Sequence, residues 1–184
     1  DSMFNGCNGL SEIIFNTNIV EIGEWAFSDC SSLKRIDIPE TVINIKQGAF
    51  YDCSSLTNIS IPETVTEIRT YTFRGCSSLE SIDIPKTVSS IGGGVFQECS
   101  SLTSINIPKK VTELKGSIFS DCSSLVNVTF EKGSQLKSMT KDLESAGAVF
   151  RNCTALTTIE IPASVETIGD GIFDNCSSLT SVTF

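Results

Sequence analysis

The sequence contains no histidine, and no two of its cysteines lie closer than 23 residues. Without an imidazole, histidine-based triads and proton shuttles are excluded. Without a C-x-x-C pair or a histidine there is no zinc set either. Basic residues are scarce, with 13 Lys and Arg against 22 Asp and Glu and a formal charge of −9. No basic stripe exists to release counterions from phosphates, so neither nucleic acid nor an anionic membrane surface is an expected partner. No segment approaches the roughly 20 apolar residues of a membrane span, so membrane insertion is not expected. Large aromatics other than phenylalanine are also rare: one Trp and two Tyr in 184 residues. The chain opens at Asp1-Ser2-Met3-Phe4, in the second half of a repeat, and stops at Phe184 on a strand. It therefore reads as a segment of a longer protein, so a missing export signal carries no weight.

What is present is a ruler. Cysteines stand at Cys7, Cys30, Cys53, Cys76, Cys99, Cys122, Cys153 and Cys176; six of the seven intervals are 23 residues and one, Cys122 to Cys153, is 31. A fixed period in the twenties marks a solenoid, whose units bury their apolar faces by stacking on one another. Apolar columns keep the same period. Leucine follows each cysteine by three places, from Leu10 to Leu179, and β-branched or aromatic residues follow at six and eight, as Ile36/Ile38 and Ile59/Ile61 do. That alternation predicts a short strand with one face inward. Proline ends it in five repeats (Pro39, Pro62, Pro85, Pro108, Pro162), because proline has no N–H to give a ladder. A second apolar pair, such as Val42/Ile45, is a second short strand or an extended segment on the opposite wall. A phenylalanine column from Phe4 to Phe173 then precedes a stretch suited to a single helical or 3₁₀ turn. The stacked consequence is a right-handed coil with about eight strands, a sheet on the order of 34 Å long.

The pattern C-S-S-L-x-x-I-x-I-P-x-x-V-x-x-I-x-x-x-A-F resembles the BspA-like leucine-rich repeat, over essentially the whole chain. The resemblance implies a single leucine-rich repeat solenoid over residues 1–184, of about eight coils with the first and last incomplete. It implies a parallel β-sheet on the concave side and short extended, 3₁₀ or helical turns on the convex side. It further implies an extracellular or cell-surface bacterial protein that binds proteins or cell surfaces, host matrix among them. The family motif carries no catalytic residue and no cofactor, so none is expected here.

The residue types support that restraint. Stacked cysteine side chains would point in parallel, which suits disulfide geometry poorly, and free cysteine is among the most buried residue types. A structural thiol ladder, with S–H groups facing backbone carbonyls, is the expectation. Residues before the cysteines (Asp29, Asp52, Glu98, Asp121, Asn152, Asn175) have two readings, a stacked calcium site or local satisfaction of turn amides. Gly75 interrupts the column and favours the second. Asp37, Asp83 and Glu160 lie on an open sheet without a water-excluding cleft, so no enzyme is expected.

The outward strand positions form the candidate binding face: Arg35, Asp37, Asn58, Ser60, Ser81, Asp83, Ser104, Asn106, Asn127, Thr129, Thr158 and Glu160. Of sixteen such positions ten are Ser, Thr or Asn and none is aromatic, so the face lacks the usual protein-binding anchors. It is either a broad, weak binding face that acts through multivalency or a merely solvated one. The long interval holds an insertion near 131–148, in which Leu136 and Met139 replace the usual Val and Ile. Its candidate loop residues, Lys141, Asp142, Leu143 and Glu144, are a recognition loop or neutral drift at a tolerant corner. Trp25, Tyr51 and Tyr71 are convex-side anchors or, more simply, packing between adjacent coils. The function expected is a non-enzymatic adhesion or protein-binding module; a spacer that presents other domains is the alternative. Uncapped ends would also permit end-to-end self-association.

Overall fold

A computed structural model describes residues 1–15, 18–141 and 147–184. They form a parallel β-solenoid of about seven turns. Most complete coils contribute two short strands. The first strand follows the cysteine: β2 (Arg35–Asp37), β4 (Asn58–Ser60), β7 (Ser104–Ile107), β9 (Asn127–Phe130), β11 (Thr158–Glu160) and β13 (Ser181–Thr183). The second follows the proline corner: β1 (Glu21–Ile22), β3 (Asn44–Ile45), β5 (Glu67–Ile68), β6 (Ser90–Ile91), β8 (Glu113–Lys115), β10 (Ser138–Thr140) and β12 (Thr167–Ile168). The second apolar pair of the repeat is thus a strand, and it builds its own parallel ladder.

Register shows why the period is strict. Arg35 pairs with Asn58 and Glu67 with Ser90, each partner one full repeat further along the chain. A one-residue slip would turn every inward isoleucine to solvent, because strand side chains alternate with period two. The ladders are shorter than the continuous sheet the sequence suggested. Strands β2 and β4 pair, as do β7 with β9 and β11 with β13, while Ser81–Asp83 between them joins neither ladder. Ser81 and Asp83 still face out and Ile82 still faces in. Three-residue strands make few rungs, so side-chain packing rather than the ladder sets the stacking there.

The insertion divides into two parts, because Ser138 pairs with Glu113 on one side and with Thr167 on the other, and both steps exceed the regular repeat. The first part is a longer corner. There Gly133 takes a φ of 79°, and Glu131 accepts a hydrogen bond from the Lys109 N–H at 3.1 Å. Leu136 and Met139 fill the Val and Ile columns, both fully buried. The second part follows Thr140 in the sequence; Lys141 is exposed, and Asp142, Leu143 and Glu144 lie outside the described residues.

The turn side contains no helix among the described residues. Its amides alternate instead. Trp25, Phe27 and Asp29 donate N–H bonds to Gln47, Ala49 and Tyr51 of the next coil, at 3.0, 2.9 and 2.7 Å. The amides between them, of Ala26, Ser28 and Cys30, donate to carbonyls three places back within the coil. A helical turn would keep every N–H inside its own coil; sharing alternate ones with the neighbour converts it into linked β-turns. The next coil repeats the pattern at Gly48, Phe50 and Asp52.

Inside lie stacked columns. Phe27, Phe50, Phe73, Phe96, Phe119 and Phe150 are buried, and consecutive rings lie 5.5–5.8 Å apart with planes within 10° of parallel. A centroid separation wider than the strand spacing makes these offset stacks, the arrangement that aromatic quadrupoles prefer. Beside them runs the thiol ladder. All eight cysteines are free, and Cys7 alone is exposed. Cys53 donates its S–H to the carbonyl of Phe27 at 3.1 Å, and Cys76, Cys99 and Cys122 repeat the contact one coil on each time. The same Phe27 carbonyl accepts the Cys30 N–H, so each such oxygen binds its own coil to the next. Burial pushes the Cys76 and Cys99 thiols well above the ordinary value, which keeps them protonated donors. Thiolate is the reactive form. One thiol, Cys7, should therefore react rapidly with an aromatic disulfide reagent in the native state, and all eight should react in denaturant. A native count of several reactive thiols, or fewer than eight on unfolding, would contradict the ladder.

Candidate functional site

The strand face is built as the alternation demands: all twelve candidate residues, from Arg35 to Glu160, are exposed. Few of them act together. Arg35 forms an ion pair at 2.8 Å with Glu12 of the preceding coil, not with Asp37. Both partners are well exposed, so water and salt screen the pair. Thr129 donates to the Asn106 side chain at 3.0 Å. Three open clefts follow the proline corner. The largest, about 500 Å³, lies between the long corner at Glu131–Ser134 and Pro162–Ser164. A second, about 380 Å³, borders Asp83 and Lys86, and a third, about 150 Å³, borders Arg35 and Asp37.

The turn face carries a different chemistry. The residue before each cysteine takes a positive φ throughout: Gly6, Asp29, Asp52, Gly75, Glu98, Asp121, Asn152 and Asn175, at 53–74°. This explains seven of the eight residues of the column, which are Asp, Asn or Gly, the types that tolerate the left-handed region; Glu98 is the exception. Gly75 shares the backbone conformation of the column, though it has no side chain to continue a row of carboxylates. In the later coils the side chains ladder, with Asn152 donating to Asp121 at 2.7 Å and Asn175 to Asn152 at 2.9 Å.

A second positive-φ column stands two places before the phenylalanines. Gly48, Gly94 and Gly171 occupy it in three coils, with φ of 60–63°. Trp25 and Tyr71 occupy it in two others, with φ of 53° and 59°. For a bulky side chain this conformation costs about 1–2 kcal/mol. Each ring recovers contact by covering the glycine of the following coil. A Cβ on Gly48 would collide with the Trp25 ring, and one on Gly94 would collide with the Tyr71 ring. The aromatic–glycine alternation is therefore one packing unit spread over two coils. Sequence reasoning placed these aromatics between coils but had no signal for the cluster they form.

That cluster is continuous. Trp25 and Tyr51 meet edge to face with centroids 5.4 Å apart. The Arg74 guanidinium lies 5.5 Å from the ring centres of both Tyr51 and Tyr71, within the range for cation–π attraction. Arg74 also pairs with Glu98 at 3.0 Å. Asp52 lies over Gly75, where an added Cβ would collide with its Oδ1. Its carboxylate accepts no hydrogen bond among the described residues. Desolvation raises its pKa, the charges of Asp29 and Glu98 raise it further, and Arg74 offsets part of this.

The model of the BspA type leucine rich repeat region matches residues 1–126 and 144–184 in six copies. The chain belongs to this family. It is similar to a leucine-rich repeat protein from Bacteroides ovatus, with 32% identity over 95% of this chain and a TM-score of 0.83. The T. pallidum leucine rich repeat protein is 31% identical, with 91% of this chain covered, 74% of that one, and a TM-score of 0.75. A leucine-rich repeat protein from Eubacterium ventriosum is 26% identical over 94% of this chain and 54% of its own, with a TM-score of 0.58. The chain spans 45% of the length of the B. ovatus protein. No curated protein matches it.

Asp52 supplies a test of the turn-face electrostatics. A carboxyl whose pKa is raised in the folded state favours folding when protonated and opposes it when ionised. Asp52→Asn, which also tolerates a positive φ, should therefore raise the melting temperature at neutral pH. The gain should vanish as the pH falls below the ordinary aspartate value of 3.8, where Asp52 is itself neutral. A lower melting temperature at neutral pH would contradict the assignment.

Proposed function

We propose that this chain is a non-enzymatic protein-binding or adhesion module of a bacterial surface or secreted protein. The observation that carries the proposal is the division of labour within each coil. Inward positions repeat Leu, Ile, Phe and Cys from coil to coil, whereas chemical variety concentrates at outward, exposed or half-buried positions. A scaffold of that kind holds many outward side chains at fixed spacing, and weak contacts repeated along it add through effective concentration. The open clefts beside Arg35 and Asp83 and along the 131–134 corner favour a macromolecular surface over a small molecule. Host matrix proteins and cell surfaces are the partner classes to try first.

The spacer alternative draws on one observation, the Ser, Thr and Asn monotony of β7 and β9, where nothing distinguishes one coil from the next. Capture of matrix proteins and whole cells by the immobilised chain separates the two readings. A binding module gives saturable capture that Arg35→Ala with Asp37→Ala, or deletion of Lys141–Ser145, weakens while melting is unchanged. No saturable capture from either source sinks the binding reading and leaves the spacer.

A further inference from the structure

Interface energy concentrates in Trp, Tyr and Arg. The strand face has no aromatic among its outward positions. The turn face of three consecutive coils has four such residues in one contiguous, half-buried patch: Trp25, Tyr51, Tyr71 and Arg74. These are departures from the repeat. The Arg74 position is Tyr51 one coil earlier and Gln97 one coil later, and the Tyr71 position is Gly48 and Gly94.

Charge decides what the patch would accept. The charges of Asp52, Glu98 and Asp29 all bear on Tyr51, and that of Arg74 opposes them. Arg74 is committed to Glu98. Among the described residues neither Asp29 nor Asp52 forms an ion pair, and the Tyr51 carbonyl accepts the Asp29 N–H at 2.7 Å. The protein already shows how such a setting is filled: at the neighbouring position a guanidinium lies against two tyrosine rings and closes on a carboxylate. Towards the N-terminus stand the rings of Trp25 and Tyr51 and the carboxylates of Asp29 and Asp52, with no guanidinium paired to either carboxylate among the described residues.

We propose that the turn-face patch of Trp25, Tyr51, Asp29 and Asp52 docks an arginine-bearing segment of a protein partner, its guanidinium stacked on the rings and paired with the carboxylates. This rests on the binding-module reading and locates the contact on the turn face instead of the strand face. Arginine fits better than lysine because a planar guanidinium stacks on a ring while its fork pairs with a carboxylate.

Trp25 is the chain's one tryptophan, so its emission reports the site directly. The probe is a capped peptide of alternating Gly and Arg, with Gly–Lys and Gly–Glu peptides as comparisons. The Gly–Arg peptide should shift Trp25 emission saturably below about 1 mM, and the Gly–Glu peptide should not. Asp52→Asn should weaken that binding by about tenfold and Tyr51→Ala by at least as much, while Glu80→Gln, an exposed acidic residue outside either candidate site, leaves it unchanged. Asp52→Asn keeps a residue suited to positive φ, so the test does not depend on the tyrosine variant folding. No saturable shift, equal binding of the Gly–Lys peptide, or equal weakening by Glu80→Gln overturns the proposal. If the chain captures a partner and Asp52→Asn captures it equally well, this site is wrong and the binding module stands. If the Gly–Arg peptide binds as described and no matrix protein or cell is captured, the site stands and the wider adhesion reading falls.

Discussion

No coil of this molecule can satisfy its own backbone. A single coil is too short to close its hydrogen bonds internally, so its strands and alternate turn amides must find partners on the coils above and below. The turn amides reach Gln47 from Trp25 and Thr70 from Gly48, and the strands pair Arg35 with Asn58; both express that single requirement. Buried amides left unpaired would each cost as much as a lost hydrogen bond. Everything that repeats in the sequence repeats because it serves this stacking. Phenylalanine rings stack where the turns stack, and cysteine reaches the one carbonyl that its own coil already uses. Threonine hydroxyls at Thr41 and Thr87 clamp the carbonyl of the coil before.

Much of this was legible in the residues. The Leu, Ile and Phe columns announce their inward faces by period alone, and the free-thiol reading followed from parallel Cβ directions. Leu136 and Met139 of the insertion also lie in the core, as their residue types suggested. Other features were hidden for definite reasons. A two-residue strand such as β3 has no periodicity of its own, so its ladder emerges only from the register of its neighbours. The Asp, Asn and Gly before each cysteine were visible, but what they answer is a backbone dihedral, which a side-chain reading does not reach. Trp25 over Gly48 is a compensation between corresponding positions of successive repeats, meaningful only once the coils are stacked.

The two faces of the solenoid differ in a way that bears on function. The strand face is uniform, short in side chain and poor in anchors. The turn face is irregular where Trp25, Tyr51, Tyr71 and Arg74 gather, and two of those residues occupy a conformation that other coils give to glycine. Local strain of this sort persists only where surrounding contacts determine it, and it concentrates at sites with a task. The repeating core thus acts as a scaffold that holds a few outward departures at fixed positions.

The central claim is that inter-coil packing, not any single coil, holds the molecule together. Chemical denaturation of Phe73→Ala tests it most directly, because Phe73 stacks between Phe50 and Phe96 in the middle of the column. A loss of about 3–5 kcal/mol in unfolding free energy is the predicted result. A loss below about 1 kcal/mol would mean that the coils do not depend on that column, and would contradict the account.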